Sequence, residues 1–298
     1  MLRGVNQPSA ELVKLSTPHK RRLQFRLRSL LLLVTVACLS LGWIGRKFEL
    51  WRREHIAAIM RPIILSEIAS LNDHPWAGEY YCGDGLGVNI SLVVAPKSGY
   101  LYEWRGCLGL YDRNYGPVAC TDGRLRLVFQ LPKRESSGGI ADELIAVGWG
   151  PRQYLIPADE MVRFCNAVND GSEPRAEIHG LYLLRHGDEE KAVTGIPVVP
   201  DEFKDYLLAR PIEAEIIDLG ERTDDMTIVV LNRGKQHGLR PQMELHVFDP
   251  DEQVDSATLT KVENSRSEAM MARPLGDEPP PRIGWKLSTR RFWQTRLE

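Results

Sequence analysis

Residues that bind metals or build hydrolytic sites are sparse in this chain and lack the spacing such sites need. The 298 residues include seven histidines and five cysteines. No histidine pair follows the H-E-x-x-H spacing or another close metal-binding spacing. No serine lies in the G-x-S-x-G elbow that positions a hydrolase nucleophile. We therefore expect no metal, no cofactor and no enzymatic activity.

The region beyond the N-terminus also lacks an excess of positive charge. Residues 1–46 hold eight Lys and Arg against a single acid, Glu11. The remainder has 30 basic and 39 acidic residues, a net charge of −9. This charge repels a phosphate backbone, so we expect no nucleic-acid partner. The basic N-terminal segment suits an anionic membrane surface instead.

One long uncharged run, residues 29–45, predicts a transmembrane helix. As a helix it spans about 25 Å, and Arg28 and Arg46 can extend this fit by reaching outwards. A cleaved signal peptide is the alternative, but no small-x-small cleavage pair follows the run. The sequence therefore favours an uncleaved anchor in contact with membrane lipid.

The charges on either side of the anchor predict its orientation. Six basic residues precede the helix within fifteen positions and four follow it within fifteen. Because the more basic flank stays inside, we expect residues 1–28 to form a cytoplasmic tail. The chain from residue 46 onwards then lies outside the cytoplasm.

The sequence R-L-Q-F-R-L-R-S-L-L-L-L at residues 22–33 resembles a recurrent N-terminal anchor of planctomycete membrane proteins. Arg26 stands where that pattern usually has Ser, and Ser29 where it usually has Thr. The resemblance implies a bacterial envelope setting and carries no information about chemistry.

The region after the anchor divides into a helical linker and a first β-domain. Isoleucines at helical spacing in residues 46–73 predict the linker, which Pro62 would kink or split in two. Short alternating strands between Gly-rich turns then predict an antiparallel meander over residues 74–210, closed as a barrel or folded as a sandwich. Its opening Trp-x-Gly-x-Tyr pattern, Trp76–Tyr80, resembles the first strand of lipocalin-like barrels.

Residues 211–290 predict a second, smaller β-domain. Residues 232–247 resemble the pattern N-x-G-x-x-x-G-L-x-x-G-M-x-x-x-V of small β-barrels in bacterial envelope proteins. The flagellar protein FlgT and the cell-shape protein MreC contain barrels of this kind. Gly234 and Gly238 are the turn glycines of this pattern, and Gln242 stands where it has a third glycine. The resemblance implies a structural or assembly module.

The predicted fold class is therefore mainly β. An N-terminal transmembrane helix precedes an antiparallel barrel or sandwich with one or two helices. A small C-terminal β-barrel and a short tail, residues 291–298, complete the chain.

Four aromatic residues of the first β-domain are candidates for a ligand pocket: Tyr80, Tyr102, Trp104 and Trp149. They could line a barrel that captures a small apolar molecule. The alternative is that they fill the core, and we favour this reading because aromatic side chains dominate protein cores.

The first β-domain also contains four of the five cysteines. In an oxidising compartment, four cysteines allow three pairings. We expect one or two disulfides, with Cys107 and Cys120 as the first pair because they flank a loop. Free buried thiols are the alternative.

A three-residue match to histidine phosphatases lies at Arg185-His186-Gly187. In that family the motif belongs on the first strand of a domain of roughly 200 residues. Only 112 residues follow His186, and they read as β-structure. We favour a solvent-facing strand end.

The leading functional hypothesis is a membrane-tethered envelope protein that acts through protein interaction or self-association. A barrel that binds a small apolar ligand near the membrane is the first alternative. A hydrolase is the second.

Overall fold

The computed structural model describes residues 27–83, 87–131, 140–172, 182–223, 225–247, 256–272 and 280–291. It divides into two compact units, residues 1–52 and 53–298. The first unit holds the apolar part of the N-terminal helix, and the second holds all of the β-structure described below.

One continuous helix, α1 (Leu27–Ser70), contains both the predicted anchor and the predicted linker. By length and composition it can cross a membrane, and the side chains of its apolar stretch are exposed. The predicted split at Pro62 does not occur. Pro62 lies on an exposed side of α1, where water can bond the carbonyl group that its ring leaves without a donor.

A nine-stranded antiparallel sheet follows, in the order β4-β3-β2-β1-β9-β8-β7-β6-β5. Its strands are β1 (Gly78–Gly83), β2 (Val88–Ala95), β3 (Gly99–Gly106), β4 (Gly109–Gly116), β5 (Val118–Thr121), β6 (Arg124–Leu127), β7 (Glu143–Trp149), β8 (Arg152–Pro157) and β9 (Leu183–Arg185). Each strand pairs with the next along the chain, except where β4 continues into β5. The chain between β8 and β9 forms a helix, and these two strands are also neighbours in the sheet.

This sheet closes because its two ends, β4 and β5, are consecutive halves of one bent strand. Residues 128–130, which follow β6, extend the pairing of β6 with β5 as far as the end of β4. The carbonyl oxygen of Pro117 accepts the Val128 N–H at 3.0 Å, and that of Tyr115 accepts the Gln130 N–H at 3.2 Å. Strand β9 pairs with β1 on the far side. The predicted antiparallel meander is therefore confirmed, and of its two alternatives, barrel and sandwich, the chain forms the barrel.

Two groups of helical residues cover the outside of the first barrel. On one side, Ala57 and Ile64 of α1 pack against Val93 and Leu101. On the other side, Phe164 lies in a cluster over β7, β8 and β9. The helix that carries it is α2 (Met161–Asp170), and a short helix, α3 (Asp201–Lys204), follows β9.

An ion-pair cluster fixes α1 to the first barrel beside these apolar contacts. The guanidinium of Arg61 pairs with Glu79 of β1 and lies 3.7 Å from the carboxylate of Glu103 on β3. Glu103 also accepts the Nε–H of Arg113 at 2.9 Å. Because Glu103 and Arg113 are both buried, loss of the Glu103 carboxylate would leave the Arg113 charge without this partner.

The remaining strands form a closed six-stranded barrel in the order β10-β11-β14-β13-β12-β15. They are β10 (Glu213–Arg222), β11 (Met226–Leu231), β12 (Glu244–Val247), β13 (Ser256–Val262), β14 (Ser267–Ala272) and β15 (Lys286–Ser288). Leucine, methionine, alanine, valine and isoleucine side chains fill its core. The predicted small C-terminal barrel is confirmed.

Candidate functional site

The interior of the first barrel is filled by the protein's own side chains. Tyr80, Tyr100 and Tyr102 are fully buried there, among leucines from β2, β6, β7, β8 and β9. An apolar cavity beside Tyr102 has a volume of about 10 Å³. A volume of that size holds about one water molecule, far less than a drug-sized ligand requires.

Three of the four candidate ligand residues meet at this core, and the fourth does not. Tyr80 and Tyr102 belong to the interior cluster, and the half-buried ring of Trp104 packs against it. Trp149 belongs to the cluster outside the barrel, beneath α2. Its indole N–H donates to the carbonyl oxygen of Gly195 at 3.0 Å. A single pocket inside the barrel therefore cannot use all four residues.

Burial also controls the protonation of these tyrosines. Desolvation raises the pKa of the Tyr102 phenol above its ordinary value, and the nearby Asp112 carboxylate raises it further. Desolvation likewise raises the pKa of Tyr80, although the guanidinium of Arg185 opposes that change. Both phenols are neutral at physiological pH and serve as core residues.

The predicted disulfide between Cys107 and Cys120 is not formed in the structure. Cys107 lies in the turn before β4, whereas Cys120 lies near the end of β5. Since β4 and β5 form one bent strand, nearly its whole length separates the two thiols, and a disulfide needs Cα atoms within about 7 Å. The flanked loop that suggested this pairing is in fact extended strand.

The residues of the Arg185-His186-Gly187 motif have separate roles. The guanidinium of Arg185 donates to the carbonyl oxygen of His74 at 2.8 Å and lies 5.8 Å from the centre of the Tyr80 ring. The imidazole of His186 is exposed and lies 3.3 Å from the Glu189 carboxylate. The two side chains face different partners, as expected of a strand end.

The two turn glycines of the second barrel occupy positions that restrict side chains. A Cβ atom on Gly234 would lie 2.4 Å from the carbonyl oxygen of Glu263, which is too close for any other residue. Gly238 has φ +96°, in the left-handed region that glycine tolerates best. Gln242, in place of the third glycine, also has a left-handed φ of +68°. The backbone of the turn is therefore kept at this position, although Gln242 is strained there.

A polar junction, which no motif indicated, joins α2 to the second barrel. We define it by Asn166, Asp170, Ser172, His246 and Arg291. The amide nitrogen of Asn166 donates to the carbonyl oxygen of Gln242 at 2.9 Å. The Asp170 carboxylate accepts the Ser172 hydroxyl at 2.6 Å and the backbone N–H of Arg291 at 2.9 Å. The Arg291 side chain also pairs with Asp170 at 3.0 Å.

His246 lies against this carboxylate, in a cleft of about 20 Å³. Its Nε2 is 3.6 Å from Oδ1 of Asp170, and its Nδ1 bonds no described residue. Desolvation lowers the pKa of His246 to about 4, with a further lowering from the Arg291 charge and an opposing effect of Asp170. The imidazole is therefore neutral at pH 7.

The junction resembles a catalytic triad in composition but not in geometry. In a triad the serine hydroxyl bonds the histidine, which in turn bonds the aspartate. Here the Ser172 hydroxyl donates its hydrogen bond directly to the Asp170 carboxylate and not to the imidazole. The arrangement joins α2 to the second barrel. Asp170 and His246 are 76 positions apart in the chain. Local sequence patterns could therefore not have revealed the junction.

The outward half of β10 is the most exposed part of the second barrel's sheet. Only Glu213–Glu215 pair with β15, and Ile216 then bonds Trp285 and Gly284. From Ile217 to Arg222, which we call the free edge, no described backbone group pairs on that side. All six residues are exposed, including Ile217 at 47% and Leu219 at 40%.

Comparison of the chain with protein-family models, curated proteins and solved structures found no match.

Proposed function

We propose that this chain is a single-pass protein of a bacterial inner membrane whose two-barrel region acts by binding other protein chains. The anchor is residues 29–45, with residues 1–28 in the cytoplasm and the barrels outside it. The charge bias across the anchor supports this orientation, and the length and apolar composition of α1 support the tether.

The observation that carries the proposal is the contrast between filled interiors and an exposed edge. Tyrosines occupy the inside of the first barrel, and aliphatic side chains occupy the inside of the second. Contacts with other molecules must then be made on outer surfaces. The free edge of β10 offers a strand edge that no described strand covers, together with exposed Ile217 and Leu219. Such an edge is a common binding surface for a protein strand.

Complex size in gently solubilised membranes tests this proposal. We expect the tagged full-length chain to migrate in a complex larger than one chain. The double substitution Ile217→Glu and Leu219→Glu should reduce that complex, because it places charge on the apolar part of the free edge.

Leu108→Glu is the matched control, since Leu108 is 90% exposed at the tip between β3 and β4 of the first barrel. This control should leave the complex unchanged. A wild-type chain that remains a single copy after cross-linking in intact membranes would contradict the proposed function.

Orientation has a separate measurement. Cys120 is exposed and Cys165 is buried, with a thiol pKa that burial raises to about 12. A membrane-impermeant maleimide should label Cys120 in cells whose outer barrier is permeabilised, and it should leave Cys165 unmodified. Labelling of Cys120 only after the inner membrane is lysed would reverse the topology.

A further inference from the structure

The two ends of the hairpins formed by β2, β3 and β4 differ in polarity. At one end, the turn between β2 and β3 is polar, and the N–H groups of Lys97 and Ser98 donate to the Glu67 carboxylate of α1 at 2.9 Å and 2.7 Å. At the other end, the turn between β3 and β4 consists of exposed Cys107 and Leu108, which we call the apolar turn. Leu108 is more exposed than any described leucine of the anchor.

The direction of α1 relates the apolar turn to the start of the second compact unit. Arg61 lies near Glu103 in the middle of β3, whereas Glu67, six residues later, binds the polar turn. Going back from Arg61 to Arg53, α1 advances about 12 Å. From Glu103 to Cys107, β3 advances about 13 Å in the same direction. The apolar turn therefore lies about level with Arg53, where this unit begins.

Arg53 also follows the anchor closely in the chain. Only residues 46–52 separate it from Gly45, the last residue of the uncharged run. The steps from Gly45 to Arg53 cover about 12 Å as a helix and at most about 29 Å in any conformation. When the anchor spans a membrane, the apolar turn is therefore tethered near the lipid surface, and the tether raises its effective concentration there.

We propose that the apolar turn inserts Leu108 into the lipid headgroup region, so that the first barrel contacts the membrane at a second point besides the anchor. This inference rests on the membrane tether of the proposed function. A lipid surface is the occupant that the connectivity of the chain brings to this turn. Insertion would remove from water the most exposed leucine that the structure describes.

Residues beside the apolar turn suit the same surface. Val88 pairs with Gly106 at this end of β3 and is 41% exposed, so it adds apolar area next to Leu108. Arg105 is also exposed, and its long side chain can place the guanidinium among anionic lipid phosphates. The polar turn at the opposite end of β3 has no such group of apolar side chains.

The native cysteines supply a test, because one exposed thiol lies in the apolar turn and another lies far from it. Cys120 is in β5, and nearly the whole length of the bent strand separates it from Cys107. The full-length protein is reconstituted in vesicles of equal parts phosphatidylethanolamine and phosphatidylglycerol. A water-soluble maleimide is added, and peptide mass spectrometry follows the labelling of both thiols. Labelling of Cys120 identifies the chains whose barrels face the reagent.

In the wild type, Cys107 should react roughly tenfold more slowly than Cys120, a factor that burial of one leucine side chain supports. Leu108→Glu should remove most of this difference, because a carboxylate resists transfer into lipid. A negative charge beside a thiol by itself slows the reaction, because it disfavours the thiolate. Faster labelling of Cys107 in this variant would therefore report the loss of lipid contact.

Ile63→Glu is the matched control. Ile63 is an exposed apolar residue of the same unit, and it lies about 15 Å further along α1 than Arg53. The substitution adds the same charge to the protein at a distance from the apolar turn. It should leave Cys107 as slow to react as in the wild type.

Four outcomes would overturn the inference. Cys107 and Cys120 could react at equal rates in the wild type, Leu108→Glu could leave Cys107 slow, or Ile63→Glu could accelerate it as much as Leu108→Glu does. Slow labelling that disappears when the chain is diluted in vesicle lipid would show that a second copy covers the turn.

Alkaline extraction of the vesicles distinguishes these outcomes from failure of the proposed function. A chain that extraction releases has no membrane anchor, which would contradict both the proposed function and this inference. A chain that stays in the vesicles with equally reactive thiols would contradict this inference alone.

Discussion

The first barrel closes its nine named strands around tyrosine and leucine, whereas the second closes six strands around alanine, leucine and methionine. Barrel diameter grows with strand number, so the wider barrel needs larger side chains to fill it. Here three fully buried tyrosines meet that need. A lipocalin-like width therefore does not imply a ligand cavity, because the residues inside decide whether the space remains open.

The two barrels also differ in what covers them. Helical residues pack on two sides of the first barrel, and the second is joined to α2 through the polar junction. The first barrel thus depends on apolar packing inside and outside. The second depends more on its turns and on a few buried polar contacts. This difference predicts where each barrel is most sensitive to substitution.

The largest expected effect is on the interior of the first barrel. Tyr102→Ala should lower the free energy of unfolding by about 3–5 kcal/mol, because it removes a fully buried aromatic ring. Chemical denaturation of the protein measures this loss. Tyr102→Phe is the control and should cost about 1 kcal/mol, since it removes only a hydroxyl.

Tyr102→Ala should also enlarge the small apolar cavity beside residue 102 until an apolar molecule can enter it. An apolar fluorescent probe should bind Tyr102→Ala and should not bind the wild type saturably. Saturable binding to the wild type would restore the ligand-binding alternative.

The second prediction concerns pH and the junction of the second barrel. The folded chain holds His246 neutral with a pKa of about 4, whereas an unfolded histidine binds a proton below about pH 6.5. Its contribution to stability is therefore fully present above pH 6.5 and is lost as the pH falls towards 4. The loss should be about 3 kcal/mol, from the difference between those two pKa values.

Denaturation of the wild type and of His246→Gln across this pH range isolates that contribution. The glutamine variant should lose less stability between pH 6.5 and 4, because its side chain does not titrate. His186→Gln is the control and should behave like the wild type, since His186 is exposed. Equal pH dependence of the wild type and His246→Gln would show that His246 titrates normally.

A third, smaller effect is expected at the turn of the second barrel. Gly238→Val should destabilise by about 1–3 kcal/mol, because a β-branched residue is strained at φ +96°. Lys235→Val, in the adjacent helical turn (Lys235–His237), is the control and should change little. Thermal unfolding measures both. His237→Ala is not a neutral control, because its Nδ1 accepts the Gly234 N–H at 3.0 Å.

The smallest expected effect is a gain. Gln242→Gly should raise the free energy of unfolding by up to about 1 kcal/mol, because glycine relieves the left-handed strain at φ +68°. The greater conformational entropy of glycine in the unfolded chain offsets part of this gain. Gln236→Gly, which lies in the helical turn, should instead lower it. A loss of stability in Gln242→Gly would show that the glutamine side chain makes contacts worth more than the strain.

Local patterns in the sequence determined the apolar N-terminal helix, the mainly β class and the turn at Gly234 and Gly238. These features depend on residues close together in the chain, because strand alternation repeats every two residues and turns need particular backbone angles. The same patterns overestimated how much Pro62 would disrupt the helix, because they could not show which side of α1 would face solvent.

The packing of distant strands and helices sets which of these residues are in contact. Barrel closure put Tyr80 and Tyr102 inside and Trp149 outside, and it separated Cys107 from Cys120 along one bent strand. Packing of α2 on the second barrel brought Asp170 to His246. The pairing of β10 with β15 ends at Glu215, so no described strand covers the outer half of β10 on that side. Each of these depends on strands and helices distant in the chain, whose contacts leave no short-range signal in the sequence.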